Sequence, residues 1–247
     1  MSNAQPPLNP SPQSVEEFQE VYQHFLGRIA DAARAVDRDP NEVRLLPVSK
    51  TVPAERLRLA IAAGMTELAE NRVQEMAGKA TDLADTDVTW CLIGPLQRNK
   101  ARDAAAFATE FHALDSVRLA TALNNRLIDD KVLDVFVQVN TSGEAQKSGV
   151  APEEAAQLLD DLAAFPQLRV RGLMTMAKFS PDEAVVRGSF ARLRELRESL
   201  TPNLPDGMSV AELSMGMSGD FEWAIAEGAT TVRIGRGLFG ARPPVGA

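Results

Sequence analysis

Apolar and polar positions recur along the chain with two periods, and their order predicts the elements of the fold. From Val15 to Val36 apolar residues return at helical spacing, which predicts one amphipathic helix before the first strand. Beyond it, short apolar runs alternate with longer helical patterns; the runs predicted as strands are 43–50, 65–70, 88–94, 110–115, 132–140, 170–176, 208–215 and 230–235. This alternation predicts an α/β fold, a single (β/α)8 TIM-type barrel with an extra N-terminal helix, with a doubly wound open sheet as the alternative.

Residues that start helices support this pattern, and one proline opposes it. Asp115 or Ser116 can cap a helix, and the run at 180–183 (SPDE) combines a capping box with proline at the first helical position. Pro47 lies inside the first apolar run, where it removes a ladder donor. We therefore expect a bulge or a late strand start there.

Length and composition predict one folded domain that does not bind nucleic acid. With 247 residues, 45% of them hydrophobic, the chain can bury a full core. We place the folded domain at residues 14–241. A polar lead at 1–13 and a short tail at 242–247 are expected to be disordered. The net charge of −8 repels phosphate backbones, and 5% aromatic content leaves little for stacking on bases.

The same composition bears on the cellular compartment. Cys91 is the one cysteine, so the chain has no internal disulfide, and no apolar run is long enough to span a bilayer. We find no secretion signal either. The expectation is a cytoplasmic protein with no membrane partner.

The active end of a barrel is built from residues just after each strand, so the residues at those positions indicate the chemistry. Lys50 ends the first predicted strand, and Asn71 with Arg72 follows the second. Strand three leads into "GPLQRNK", strand seven into "SMGMSGD" and strand eight into "VRIGRG". A lysine at such a position is a candidate for covalent chemistry.

The last two of these segments predict an anion site. Ser214, Gly216, Ser218 and Gly219 are expected to form a small loop before the helical pattern "DFEWAIAEG", with Ser218 as the N-cap. A second glycine-bearing loop at 235–237 would lie beside it, and barrels often hold a phosphate after strands seven and eight. A phosphate cradle, a lysine and an arginine at neighbouring strand ends together suggest pyridoxal phosphate, whose aldehyde suits the lysine.

Seven segments in order carry a family resemblance: "VSKT", "ENRVQE", "IGPLQRNK", "VNTSGEAQKSG", "GLMTM", "LSMGMSGDFEWAI" and "VRIGRGLFGARP". From about residue 15 to 243 the chain closely resembles the pyridoxal-phosphate homeostasis protein family, whose fold is like the barrel domain of bacterial alanine racemase. The resemblance implies that Lys50 carries the pyridoxal 5′-phosphate aldimine, that Asn71 lines the cofactor face and that Arg233 faces the pyridine nitrogen. It also implies that the phosphate is held by Ser214, Ser218, Gly235 and Arg236, the last two through backbone amides.

Two positions depart from the family pattern. The chain has "WCLIG" where "WHFIG" is expected, which removes any role for a histidine there. Gly219 stands where a larger residue is common, which leaves the fine geometry of the cradle open.

Other readings compete for individual residues. Lys178 and Lys147 are rivals of Lys50 and are kept as secondary cofactor sites. Taken alone, Arg233 is equally well interpreted as the ion-pair partner of a glutamate. Cys91 reads as a buried small hydrophobe. His24 and His112 have neither metal-ligand nor triad spacing, and we find no metal motif.

Three classes of function remain: an amino-acid racemase or decarboxylase that uses the cofactor, an aldolase that uses a lysine without it, and a carrier. Racemases of the resembling fold take a second base, a tyrosine, from a separate domain, which we do not expect here because the chain ends soon after the eighth strand. Tyr22 is the one tyrosine, and it falls in the apolar stripe of the first helix. We therefore expect a non-catalytic protein, a monomer or weak dimer. The resemblance implies that it controls the supply of free cofactor, and raises delivery to apoenzymes as a further role.

Overall fold

Parallel strands alternate with helices throughout the computed structural model, which describes residues 11–144 and 148–240. Within these residues eight strands form one sheet: β1 Arg44–Pro47, β2 Glu67–Glu70, β3 Thr89–Leu92, β4 Glu110–Leu114, β5 Leu133–Gln138, β6 Leu168–Met174, β7 Glu212–Met217 and β8 Thr231–Ile234. The helices are α1 Val15–Arg34, α2 Ala54–Ala62, α3 Val73–Asp82, α4 Ala101–Phe107, α5 Val117–Asn124, α6 Ala155–Leu162, α7 Glu183–Leu200, α8 Phe221–Ala226 and α9 Arg236–Phe239.

The sheet curls into a nearly closed barrel. Its order is β1-β8-β7-β6-β5-β4-β3-β2, with every neighbouring pair parallel. A single bridge between Val48 and Ala69 joins β1 to β2 and completes the ring. The predicted TIM-type barrel with an extra N-terminal helix is therefore confirmed, and the open sheet is not found.

Pro47 lies at the end of β1, and the hydrogen-bonding pattern explains how the barrel accommodates it. Arg44 and Val48 donate their backbone N–H groups toward β8, while Ser49 donates to Ala69 at the end of β2. Since donors alternate in direction along a strand, the proline lacks an N–H on the side of β2, where the pairing is already reduced to one bridge. β1 starts at Arg44 and ends at the proline in regular register with β8, so neither the expected bulge nor the expected late strand start is found.

Helix α1 buries the apolar stripe that predicted it. Phe18, Val21, Phe25 and Ile29 are buried, and Ser14 caps the helix by accepting from the backbone N–H of Glu17. The ring centroids of Phe25 and of Phe221 in α8 are 6.0 Å apart, so α1 packs against α8. Its bounds agree with the prediction to within two residues.

The buried hydrophobic residues within the described ranges form two clusters of unequal size. Most buried hydrophobic residues lie between strands and helices in one large cluster. A separate small cluster holds Leu46, Val48, Ala69 and Cys91. Cys91 is a buried residue of β3 with its pKa raised by burial, which confirms its interpretation as a small hydrophobe.

Some predicted boundaries were wrong. Strand β6 runs over Leu168–Met174 rather than 170–176, and β7 over Glu212–Met217 rather than 208–215. Val210 is buried in a loop before β7, and an apolar pattern alone does not distinguish a buried loop from a strand. Helix α7 is capped by Asp182, so Pro181 is not its first residue.

Other predictions about the chain ends are only partly within reach of the structure. Residues 1–10 of the predicted lead and all of the predicted tail at 242–247 lie outside the described residues. Of the remaining lead, Pro12 is buried and its carbonyl accepts from Arg56 at 2.8 Å. No helix within 11–144 and 148–240 is both long and apolar enough to cross a bilayer.

Candidate functional site

Lys50 lies in a tight turn at the carboxyl end of the barrel, three residues after β1 ends. The backbone N–H of Val52 donates to the carbonyl of Ser49 at 3.0 Å, which closes the turn around Lys50 and Thr51. Lys50 is half-buried. The predicted strand 43–50 thus ends at Pro47, and Lys50 lies in the turn that follows it rather than at the last strand position.

Arg233, on β8, is a cation inside the barrel. It is 4% exposed, and it donates through Nη1 to Ser214 Oγ at 2.7 Å and through Nη2 to the carbonyl of Thr175 at 2.9 Å. Burial lowers its pKa to about 10, although Asp220 opposes the shift, so the guanidinium stays charged at neutral pH. Among the described residues it forms no ion pair, so the alternative reading as a glutamate partner finds no support there.

Ser214 connects Arg233 to a row of polar side chains that crosses the barrel interior. Its Oγ lies 2.9 Å from His112 Nδ1, and His112 Nε2 lies 2.8 Å from Glu110 Oε2. Arg44 binds both oxygens of Glu110, at 2.6 and 2.7 Å. We call these five residues the interior polar row.

The geometry fixes the tautomer of His112. Because Ser214 Oγ accepts from Arg233, its own hydrogen is available for His112 Nδ1, and His112 Nε2 then donates to the carboxylate of Glu110. Burial lowers the pKa of His112 to about 4, against the opposing effect of Glu110. The imidazole is therefore neutral, and both of its ring nitrogens are hydrogen-bonded.

The sequence interpretation missed the roles of Glu110 and His112. The signal was present in "EFHALD", since residues two apart on a strand share a face and this pair is polar within an apolar run. Cys91, Glu110 and His112 hold their ligand-type atoms within 4.8 Å of one another. Glu110 is engaged by Arg44 and His112, which accounts for this grouping as part of the interior polar row.

The loops after β7 and β8 meet, as predicted, although their boundaries differ. Ser214 and Gly216 belong to β7, so only Ser218 and Gly219 of the predicted loop follow the strand. The half-buried Ser218 hydroxyl accepts from the backbone N–H of Gly237 at 3.5 Å. Gly237 lies in the first turn of α9, so the predicted loop at 235–237 is the start of a short helix.

Ser218 is not the N-cap of α8, and that prediction was wrong. Asp220 holds the N-cap position, and its carboxylate accepts from the backbone N–H of Met217 at 2.6 Å. Gly216, with a φ of 92°, lets β7 continue to Met217, which moves the helix start two residues beyond the predicted cap.

The remaining predicted residues surround the same end of the barrel. Gly235 lies against the end of β1, where an added Cβ would be 3.3 Å from the carbonyl oxygen of Val48, and Arg236 is exposed. Asn71 is half-buried and lines a groove of about 920 Å³ that includes Arg72, Gln97 and Lys100.

The rival lysines differ from Lys50 in position. Lys178 is exposed in the loop after β6, and its backbone N–H donates to Ser189 Oγ at 3.4 Å. Lys147 lies outside the described residues.

Comparison with known proteins identifies the family of the chain. Residues 23–243 match the family described as alanine racemase, N-terminal domain. A pyridoxal phosphate homeostasis protein of Pseudomonas aeruginosa is 46% identical over 216 residues, covering 87% of this chain and 91% of that protein. The protein of the same name from Escherichia coli K12 is 40% identical over 219 residues, covering 87% and 92%.

A solved structure with the same fold extends the comparison. PipY of Synechococcus elongatus, with PLP bound, superposes with a TM-score of 0.75 at 36% identity, covering 86% of this chain and 100% of that one. The chain therefore belongs to the alanine racemase N-terminal domain family and, within it, to the pyridoxal phosphate homeostasis proteins.

Proposed function

We propose that this chain binds pyridoxal 5′-phosphate at the carboxyl end of its barrel, holds it as a Schiff base on Lys50 and serves cofactor homeostasis rather than catalysis. The observation that carries the proposal is the buried guanidinium of Arg233, which among the described residues is bonded to neutral groups at the end of the barrel that carries Lys50. A buried cation of this kind favours an electron-rich partner. The PLP-bound relative supports the choice of ligand.

Arg233 fits a pyridine nitrogen. A guanidinium has five N–H donors, and hydrogen bonds to Ser214 and Thr175 leave others for a ligand. With a pKa of about 10 Arg233 can donate but not accept, so it favours the unprotonated ring. An unprotonated ring is a weaker electron sink, which suits storage of the cofactor better than carbanion chemistry.

The phosphate belongs with Ser218, Gly235 and Arg236. Ser218 presents a half-buried hydroxyl where the loop after β7 meets the start of α9, and Gly235 and Arg236, the N-cap and first residue of that helix, contribute backbone N–H groups. Ser214, in contrast, is fully buried and uses its hydroxyl between Arg233 and His112. We assign Ser214 to holding Arg233, and Asn71 to the face of the cofactor.

Lys50 supplies the covalent bond. In its neutral form its Nζ adds to the aldehyde carbon, and the two amine hydrogens leave with the aldehyde oxygen as water. Addition of water reverses the reaction and returns both partners unchanged. A reversible bond of this type allows the protein to take up the cofactor and release it.

The alternative is a racemase or decarboxylase of weak activity. The tyrosine that such a racemase uses as a second base has no counterpart near Lys50: Tyr22 lines a cavity of about 270 Å³ with Thr66, Glu67 and Thr89, at the amino ends of β2 and β3. That is the opposite end of the barrel from Lys50. Tyr22 therefore serves packing on α1.

The experiment compares Lys50→Ala with Lys178→Ala, a matched loss of one lysine at the same end of the barrel. Lys178→Ala should bind the cofactor like the wild type and show the same visible absorption, whereas Lys50→Ala should lose that absorption. Incubation of the loaded wild type with L-amino acids should give no turnover near the usual enzymatic range of roughly 1–10³ s⁻¹. Retained absorption in Lys50→Ala, or turnover in that range, would contradict the proposal.

We also propose that the protein delivers the cofactor to apoenzymes. Lys50 is only half-buried and the bond is reversible, so transfer needs no unfolding. An apoenzyme should be activated by the loaded protein in the presence of a phosphatase that destroys free pyridoxal phosphate. Equal loss of activation with loaded protein and with free cofactor would show that release to solvent is the only route.

A further inference from the structure

The turn that carries Lys50 has an unfavourable backbone conformation. Thr51 has a φ of 66°, a left-handed value that β-branched residues rarely adopt. Glycine or asparagine is the usual residue at such a position of a turn. Contacts from outside the turn must therefore stabilise this conformation of Thr51.

Three charged side chains lie directly against this turn, and we call them the Lys79 cluster: Glu70 at the end of β2, and Glu75 and Lys79 on α3. Lys79 is 7% exposed, and its ammonium group donates to Glu70 Oε1 at 2.6 Å, Glu75 Oε1 at 2.7 Å and the carbonyl of Ser49 at 2.8 Å. An ammonium has three N–H donors, so each one has an acceptor.

The cluster binds both peptide groups that flank Lys50. Lys79 holds the carbonyl of Ser49, on the near side, and Glu75 Oε1 accepts from the backbone N–H of Thr51 at 2.5 Å, on the far side. Glu75 and Lys79 are four residues apart on α3, so one helix face supplies both contacts. The dihedral angles of Lys50 are therefore set by hydrogen bonds on either side of its Cα.

Glu70 connects the Lys79 cluster to the end of β2. It is fully buried, and its Oε1 accepts from Lys79 and also from Ser49 Oγ at 2.6 Å. Its Oε2 is buried without a hydrogen-bond partner among the described residues, and burial raises its pKa in spite of Lys79 and Ser49.

Stability alone is a poor explanation for these charges. Moving charged groups out of water is costly, and well-packed apolar residues often replace a buried ion pair without loss of stability. Lys79 and Glu75 make hydrogen bonds to the backbone on both sides of Lys50, which apolar residues could not replace. The motif "ENRVQE" contains both glutamates, which the cofactor contacts proposed above do not use.

We propose that Lys79 and Glu75 are positioning residues that hold the strained turn at Thr51, and so fix the direction from which Lys50 approaches the aldehyde of the cofactor. This role rests on the proposed function. The positioning of the turn affects how readily Lys50 captures the aldehyde, and it leaves the contacts to the phosphate and the ring unchanged.

The test uses two ligands that differ at the reacting carbon. Pyridoxal 5′-phosphate has the aldehyde, while pyridoxine 5′-phosphate has an alcohol there and cannot bond to Lys50. Glu75→Ala should weaken binding of the aldehyde about tenfold and slow its capture by Lys50, because the strain at Thr51 is no longer opposed. Binding of the alcohol should change less than twofold. Glu42→Ala, which removes a glutamate paired with Arg38 at the same four-residue spacing, is the control and should affect neither ligand.

Two changes at Thr51 complete the design. Thr51→Gly in the Glu75→Ala background should restore most of the lost aldehyde binding, since glycine adopts a positive φ without strain. Thr51→Pro removes the same N–H from an exposed position and excludes a positive φ, so it should reproduce the Glu75→Ala defect even if Glu75→Ala folds poorly.

Equal weakening of both ligands, or failure of Thr51→Gly to restore capture, would overturn the positioning role. If the wild type captures the aldehyde on Lys50 and Glu75→Ala and Thr51→Pro do so equally well, the positioning role alone is wrong. If the wild type does not capture it at all, the proposed function fails, and this role with it.

Discussion

At the scale of single residues, the interior polar row connects the carboxyl end of the barrel to its amino end. Arg233 at one end is buried, and Arg44 at the other pairs with both oxygens of Glu110. Neutral Ser214 and His112 lie between Arg233 and the ion pair of Glu110 with Arg44, so hydrogen bonds connect the two ends without a second charge next to Arg233. The row thereby holds Arg233 in one orientation.

The contact that we propose between Arg233 and the ring nitrogen can be tested with a changed ligand. The 1-deaza analogue of pyridoxal phosphate has C–H in place of the pyridine nitrogen and cannot accept a hydrogen bond there. The wild type should prefer the natural cofactor about tenfold or more, since a hydrogen bond to a charged group contributes about 1.5–3 kcal/mol.

Arg233→Met should abolish this preference, as measured by titration of both ligands with circular dichroism as the folding check. A preference that persists in folded Arg233→Met would show that another group meets the ring nitrogen.

The pKa of His112 predicts a pH-dependent stability. His112 stays neutral in the folded protein down to a pKa of about 4, while in the unfolded chain it takes up a proton near its ordinary value of 6.5. The folded state therefore has stability that is fully present above pH 6.5 and is lost as the pH falls toward 4. The loss is on the order of 3 kcal/mol.

Urea unfolding of the wild type and of His112→Gln between pH 7 and 4 measures this loss. The free energy of unfolding of the wild type should fall more steeply than that of His112→Gln, which has no group that titrates at this position. Parallel curves would mean that His112 is not held neutral.

At the scale of elements, the segment between β7 and α8 shows what a sequence pattern can and cannot predict. That a glycine-bearing turn follows strand seven was predictable from "SMGMSGD". Its register was not, because it depends on Gly216 adopting a φ of 92° within the strand and on Asp220 binding the N–H of Met217. Both are tertiary choices among several glycines and polar residues.

The same segment provides a matched pair of glycine substitutions. An alanine at Gly216 has an unfavourable φ, and its Cβ would lie 2.6 Å from that of Ala224. Gly216→Ala should therefore lower the free energy of unfolding by about 1–3 kcal/mol.

Nothing lies within 4 Å of a Cβ added at Gly219, so Gly219→Ala should stay within about 0.5 kcal/mol of the wild type. Urea unfolding of both variants measures the difference. Equal effects would place the strain elsewhere in the loop.

The Lys79 cluster marks another limit of prediction from sequence. A lysine and a glutamate four residues apart on a helix usually form an exposed pair, and nothing in the sequence around Lys79 indicates that it is buried. Only the packing of α3 against the end of β1 reveals that the pair faces the turn of Lys50.

At the scale of the whole molecule, the barrel brings distant parts of the chain to one end. Lys50 and Ser218 follow β1 and β7, and Arg233 lies one residue before the end of β8; parallel strands bring such positions to one end of the barrel. The order of strands was predictable because it follows from their alternation with helices. The residues that face each other across the interior, such as Ser214 and His112, were not, because strand tilt and register decide which inward side chains meet.

Reductive trapping identifies the lysine that binds pyridoxal 5′-phosphate covalently, and we propose that this lysine is Lys50. The loaded protein is treated with borohydride, digested, and mapped by mass spectrometry for the pyridoxyl group. We expect the modification chiefly on the peptide that contains Lys50, with little on those that contain Lys147 or Lys178. A modification found chiefly on either of these other lysines, or none on Lys50, would contradict this proposal.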